Sequence, residues 1–159
     1  MLGGLSQVAR ASVVAVYSAI ADEVPVEELA ARLRAAGART AYPIQEGETL
    51  ALALASDSGA LKAGPRGVLE PVGAAQRVRA EDVDAFVVPG LLFDRSCRRL
   101  GRGGGHYDRL LAGARADATL IGICYADRVV EELPQDPWDV AMDLVVTERF
   151  VLSPDGREL

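Results

Sequence analysis

The 159 residues are half hydrophobic and a quarter charged, which excludes a disordered chain and suits a domain able to bury roughly 68–70% of its unfolded surface. A net charge of −6 argues against nucleic-acid binding, which rests on neutralising phosphates over a broad surface. No apolar run reaches the ~18 residues of a membrane span, and the two cysteines, Cys97 and Cys124, have no metal-ligand spacing. These features predict a cytoplasmic protein with no membrane or nucleic-acid partner; they do not fix the oligomeric state, for which a monomer is favoured.

In chain order, Met1–Ala11 is a short segment weak as a helix, with two glycines, and Ser12–Tyr17 is a β-branched run suited to a buried strand. Ser18–Glu23 leaves that strand as a loop with two carboxylates. Val24–Ala36 has helical spacing, acids first and arginines last, and Gly37 as its stop. Arg39–Ile44 is a strand ended by Pro43, and Leu50, Leu52 and Leu54 alternate as a third strand. Ser56–Val72 reads as loop, while Ala74–Asp82 fits either a short helix or a turn. Asp84–Pro89 and Ala118–Tyr125 are further strands on either side of a helix from Gly105 or His106 to Ala114. Arg128–Leu133 reads as helix, Asp143–Thr147 as a last apolar strand, and residues 153–159 as a polar tail. Alternating strands and helices imply a three-layer α/β/α fold with a largely parallel sheet, one domain over residues 1–159. In such sheets ligands sit beyond the carboxyl ends of the strands. Ser18–Glu23 and Pro89–Asp108 both leave strands there, so the two loops are expected to share a site.

Charge placement is more telling than its total. Of 17 basic residues 16 are arginine, and Arg95, Arg98, Arg99, Arg102 and Arg109 crowd into fifteen positions, a local cationic site on an acidic protein. Within it, Arg99-Leu100-Gly101-Arg102-Gly103-Gly104-Gly105 offers backbone N–H groups without side-chain obstruction, suiting a phosphate ester. It is neither a Walker A sequence nor a dinucleotide GxGxxG. Asp108, just after it, reads as a Mg²⁺ ligand beside phosphate, as a first-turn acid, or as a partner of Arg109 or Arg99. Asp143 reads as a loop acid before a strand. Glu23 reads as a solvated acid or as an acceptor for an amide- or amine-bearing ligand. His106 and Tyr107 either stack on a heterocycle or pack at the helix start.

Pro89-Gly90-Leu91-Leu92-Phe93-Asp94 followed by Arg99–Asp108 resembles the signature of the 5-formyltetrahydrofolate cyclo-ligase family, and the resemblance extends over residues 12–148. It implies an α/β/α fold and an ATP- and Mg²⁺-dependent cyclisation of 5-formyltetrahydrofolate to 5,10-methenyltetrahydrofolate through a phosphorylated formyl group. By the same resemblance, Arg99, Leu100, Gly101, Arg102, Gly103, Gly104, Gly105, His106 and Tyr107 bind the ATP phosphates. Arg102 is also the catalytic residue and, with Ser18, Glu23 and His106, contacts the folate; Asp108 and Asp143 are the Mg²⁺ ligands. The sequence departs from the family in three places. Residues 1–11 are a remnant of an N-terminal helical segment that carries a lysine and an arginine reaching ATP. Arg66 stands where the family has an aromatic residue, and His106 replaces the first of two tyrosines. A relative that binds folate or nucleotide without catalysis is the alternative implied by the first departure. A sugar-phosphate isomerase on a similar sheet is weaker, because no catalytic pair for that chemistry is evident.

Overall fold

The computed structural model describes Ser6 and residues 8–159. The helix expected over Met1–Ala11 lies outside them apart from Ser6 and residues 8–11. The elements in chain order are β1 (Val13–Ala15), α1 (Glu27–Ala35), β2 (Arg39–Glu46), β3 (Thr49–Leu54), β4 (Leu61–Ala63), β5 (Leu69–Pro71), β6 (Arg77–Val78) and β7 (Ala85–Pro89). Then follow β8 (Leu92–Asp94), β9 (Arg99–Leu100), α2 (His106–Ala112), β10 (Thr119–Ile123), β11 (Val129–Val130), β12 (Leu144–Val146) and β13 (Val151–Leu152).

Eight strands make one sheet in the order β13-β12-β10-β7-β1-β2-β3-β6. Its five middle strands, β12 to β2, run parallel, and the three outer ones, β13, β3 and β6, run antiparallel to their neighbours. The middle strands are apolar on both sides because both faces are covered. On one face Val14, Val16, Ala85, Val87 and Ile121 pack with Val26, Ala30 and Leu33 at α1. On the other, Val13, Ala15, Phe86 and Val88 pack with Leu110 and Leu111 of α2 and with Phe93. This is the three-layer α/β/α arrangement expected. Each fully buried Val, Leu or Phe of this kind contributes roughly 1.5–3 kcal/mol.

Local departures from expectation have physical causes. Strand β2 runs on through Pro43. The backbone of odd-numbered residues in β2 faces β1, and that pairing ends at Ala41, where its carbonyl accepts from the Val16 N–H. The donor that Pro43 lacks therefore points where no strand needs it, while β3 still pairs with the other side. Ser56–Val72 is not all loop, since β4 and β5 form a small antiparallel hairpin. Ala74–Asp82 resolves into β6 and a single 3-10 turn, Ala80–Asp82. Arg128–Leu133 is not a helix: Val129 and Val130 pair in parallel with Phe93 and Asp94 of β8. The Leu133 N–H is taken at 3.0 Å by the fully buried Asp94 carboxylate, which also accepts from Ser96 and Arg98. The Leu133 bond, with Arg98 Nη1 donating to the Leu133 carbonyl (3.3 Å), ties the segment to β8 in an extended conformation, while the Ser96 and Arg98 N–H bonds fix the β8–β9 turn.

Candidate active site

The loops leaving the carboxyl ends of β1 and β7 line one cavity of about 720 Å³, with Pro43 and Gln45 of β2, the tip of the β4–β5 hairpin, and residues 134–139. Its size is within the range of small-molecule sites. The expectation that Ser18–Glu23 and Pro89–Asp108 share a site therefore holds.

The wall from β7 to α2 is built by close packing. A Cβ at Gly90 would stand 2.8 Å from the Phe93 ring and 3.0 Å from Arg99 Cγ, so only glycine lets the chain turn there. Beyond β9 the loop runs through Gly101–Gly105, and Gly105 (φ +64°) hands the chain to α2 in a left-handed conformation. Among the described residues the N–H groups of Gly101 to Gly105 meet no acceptor. The helix is one of seven residues, so the free amides, more than a helix dipole, make this loop an anion cradle.

Arg99 lies beneath the loop with its side chain only 6% exposed. Its Nη1 donates to the Pro89 carbonyl (3.3 Å), its Nη2 is 3.5 Å from Asp108 Oδ2, and its guanidinium carbon lies 5.4 Å from the centre of the Tyr107 ring. Its buried Nε has no partner among the described residues. Burial lowers the Arg99 pKa, opposed by Asp108, Tyr107 and Asp139, yet a guanidinium stays charged. A buried cation with one unfilled donor fits an anion. Tyr107 itself is pushed above the ordinary tyrosine range by burial and stays a neutral phenol.

Glu23 faces this wall from the β1 loop. Its Oε2 accepts from the Ile20 N–H (3.0 Å), and its Oε1 is 3.9 Å from Arg102 Nη2. Burial raises its pKa, countered by the Ile20 N–H and Arg102. Arg102 is 53% exposed and held by nothing closer, whereas the Glu23 side chain is 14% exposed. The loop is braced on its outer side, where Asp22 pairs with Arg128. Ser18 is buried beside Tyr17, whose hydroxyl donates to the Val24 carbonyl (2.6 Å). On the third wall His106 Nε2 is 3.3 Å from Gln45 Nε2, and the Gln45 N–H donates to Glu70 Oε1 (2.8 Å).

Ser18, Glu23, Arg99 through Tyr107 and Asp108 are thus brought together. Asp143 is not, which corrects the expectation that it joins Asp108. It precedes β12, at the amino edge of the sheet, and its Oδ2 accepts from the Leu120 N–H (2.7 Å). The acid beside Asp108 is Asp139. Asp108 Oδ1 accepts from the Val140 N–H (3.3 Å), and a turn in which the Asp136 N–H donates to Asp139 Oδ2 (2.8 Å) puts Asp136, Trp138 and Asp139 on the cavity. The available signal was the lone tryptophan, 67% exposed, between two acids in a segment with no periodicity. Gln45 falls just past the strand expected over Arg39–Ile44 and carries no signal of its own in the sequence. Among the described residues no three His, Cys, Asp or Glu side chains cluster as a metal cage. Two carboxylates beside a phosphate cradle nevertheless match the donor set of Mg²⁺, which keeps waters and takes phosphate oxygens.

Known proteins resemble this chain in fold and in sequence. The solution structure of Aquifex aeolicus 5,10-methenyltetrahydrofolate synthetase superposes with a TM-score of 0.82 and 36% identity, covering 98% of this chain and 79% of that one. A 5,10-methenyltetrahydrofolate synthetase from Mycoplasma pneumoniae shares the fold, with a TM-score of 0.71 at 24% identity over 89% of this chain and 76% of that one. A 5-formyltetrahydrofolate cyclo-ligase from Mycolicibacterium smegmatis is 46% identical over 68 residues, 43% of this chain and 35% of that protein. The mitochondrial 5-formyltetrahydrofolate cyclo-ligase of Arabidopsis thaliana is 37% identical over 87 residues, 48% and 31% of the two chains. The aligned stretch spans about a third of the length of these two relatives. With residues 2–148 matching the sequence model of that family, the chain belongs to the 5-formyltetrahydrofolate cyclo-ligase family.

Proposed function

We propose that this chain, as one domain over residues 1–159, catalyses the ATP- and Mg²⁺-dependent closure of 5-formyltetrahydrofolate to 5,10-methenyltetrahydrofolate. The observation that carries the reading is Arg102. It rises from the amide-rich loop and meets Glu23 of the opposite wall at 3.9 Å, so one guanidinium serves both a phosphoryl group and a folate. Held by the glycine loop, ATP would supply a phosphoryl group to the formyl oxygen and leave as ADP; N10 would then close the ring, that oxygen departing as phosphate and the N10 proton passing to phosphate or solvent.

The protein's residues have separable tasks. The free N–H groups of Gly101–Gly105, with Arg99, Leu100, His106 and Tyr107 around them, hold the phosphates. Arg102 stabilises charge as it develops on the transferring group, where it needs no reorganisation. The Glu23 carboxylate accepts hydrogen bonds from the amino-pyrimidine edge of the pterin, beside Ser18 and His106. Asp108 and Asp139 hold Mg²⁺. Tyr17, Leu50 and Pro43 keep the pterin side apolar and limit water. A cytoplasmic location and a monomer accompany this reading; among the described residues no helix is long and apolar enough to cross a membrane.

Mixing the protein with 5-formyltetrahydrofolate, ATP and Mg²⁺ and following methenyl absorbance tests the proposal. Product is expected only when all three are present. Its absence at saturating concentrations would overturn the reading, and ligand binding by calorimetry without turnover would point to a non-catalytic relative.

A further inference from the structure

Four arginines line the cavity. Arg99 pairs with Asp108, Arg102 with Glu23, and Arg109 donates to the Glu48 carbonyl. Arg66 alone of the four has no hydrogen-bond or ion-pair partner among the described residues. Its backbone is also unusual: φ is +64° and ψ +13°, a left-handed conformation that a long side chain adopts only at a cost.

The turn that carries it is firmly placed. The Gly64 N–H donates to the Val68 carbonyl (2.8 Å) and the Gly67 N–H to the Gly64 carbonyl (3.1 Å), closing the β4–β5 hairpin. Glu70 of that hairpin accepts from the Gln45 N–H and so fixes it to β2. A strained, anchored turn thus carries an exposed arginine, unpaired among the described residues, on the cavity wall of a protein whose net charge is −6. A guanidinium in that setting matches a carboxylate, which it grips with two parallel hydrogen bonds.

We propose that Arg66 is a specificity-determining residue that pairs with the glutamate carboxylates of the folate. This rests on the functional reading above. The pterin of that substrate carries no negative charge and is assigned to Glu23, and the phosphates have the glycine loop with Arg99 and Arg102. The glutamyl tail is the remaining anion, and Arg66 is the remaining cavity arginine without a partner. On this view the side chain sets preference for substrates that carry the tail and takes no part in the chemistry.

Steady-state kinetics of Arg66→Gly and Arg66→Lys test the pairing, with 5-formyltetrahydrofolate and with 5-formyltetrahydropteroate, which lacks the glutamate. Glycine accepts the left-handed backbone, so the fold is retained while the charge is lost. For Arg66→Gly the KM for 5-formyltetrahydrofolate should rise roughly 10- to 100-fold, as expected for losing a charge-assisted pair. The kcat should stay within about twofold, the signature of lost ground-state binding. Arg66→Lys should fall between, and the KM values for the pteroate and for ATP should not move. Equal KM changes with both folates, no change with either, or a change in the ATP KM alone would overturn the proposal. Should the unaltered protein form no product, the functional reading fails by itself, and Kd values for the same two compounds decide the pairing. Weakening confined to the glutamate-bearing compound supports it, equal weakening overturns it, and no binding of either compound to the unaltered protein overturns both.

Discussion

The two edges of the parallel sheet use their charges in opposite ways. At the amino edge the acids are engaged by strand starts of the fold. Asp84 accepts from the Ser12 and Val13 N–H groups (2.7 and 2.9 Å) and from Arg115, and Asp143 accepts from Leu120. Each carboxylate there ties the start of one strand to its neighbour. At the carboxyl edge, among the described residues, Arg99 keeps an unfilled buried donor and five glycine-loop amides lack acceptors, and Glu23 and Arg102 stand 3.9 Å apart. Charges satisfied within the fold stabilise it; charges held in place but left open are available to ligands.

This contrast is most sharply broken by Arg102→Ala. Because the side chain is exposed and loosely held, the variant should lose roughly 10³-fold or more in kcat while its melting temperature stays that of the parent protein in calorimetry. Arg99→Met is the next test. The methionine fills similar volume but leaves Asp108 and the Pro89 carbonyl without their partner, so urea unfolding should show a loss of about 1–3 kcal/mol, and kcat/KM should drop roughly 100-fold with the cradle's cation gone. Wild-type kinetics in either variant would remove that arginine from the site.

A pair of acids sharpens the comparison further. Asp139→Asn should raise the Mg²⁺ concentration needed for half-maximal rate about 10-fold or more, the loss of one charged ligand interaction. Asp143→Asn should leave the Mg²⁺ titration unchanged and cost about 1 kcal/mol in urea unfolding. The smallest effects concern pH. Burial raises the Asp84 pKa, but the Val13 N–H, Arg115 and the Ser12 N–H outweigh it and hold it below the usual aspartate range. Its stabilisation is therefore complete above the ordinary aspartate pKa and fades as pH falls through the depressed value. The destabilisation of Asp84→Asn, measured by urea titration, should shrink in that acid window. Glu23 behaves oppositely. Burial raises its pKa, so acidification protonates it above the ordinary glutamate range, which relieves a buried charge and favours the folded form. The same step removes the acceptor for the pterin, so the KM for folate should rise on acidification before any loss of stability. Glu23→Gln should abolish that pH dependence.

Much of this contrast is legible in the amino-acid sequence, and its gaps are physical. The β-branched runs at Val13, Ala85 and Thr119 define the central strands because burial on both faces demands continuous apolarity. The glycine-arginine loop declares itself because few folds need so many glycines beside cations. The segment after Arg128 misleads, since two valines between acids satisfy helical and extended patterns alike until Asp94 claims the Leu133 N–H. Asp143 and Asp139 are four residues apart, and only the register of β12 against β10 decides that one faces the amino edge. Pairing information of that kind is long-range. Arg66 is similar: its residue type is visible in the sequence, but its positive φ and its lack of a partner are visible only in three dimensions.

The open carboxyl edge is assigned ATP-coupled ring closure and the amino edge the holding of the sheet. Measuring ADP and methenyl product together in the parent protein, Arg102→Ala and Asp84→Asn tests it most directly. One ADP per product is expected in the parent and in Asp84→Asn, and neither in Arg102→Ala. Product formation without ADP, or equal turnover in all three proteins, would contradict it.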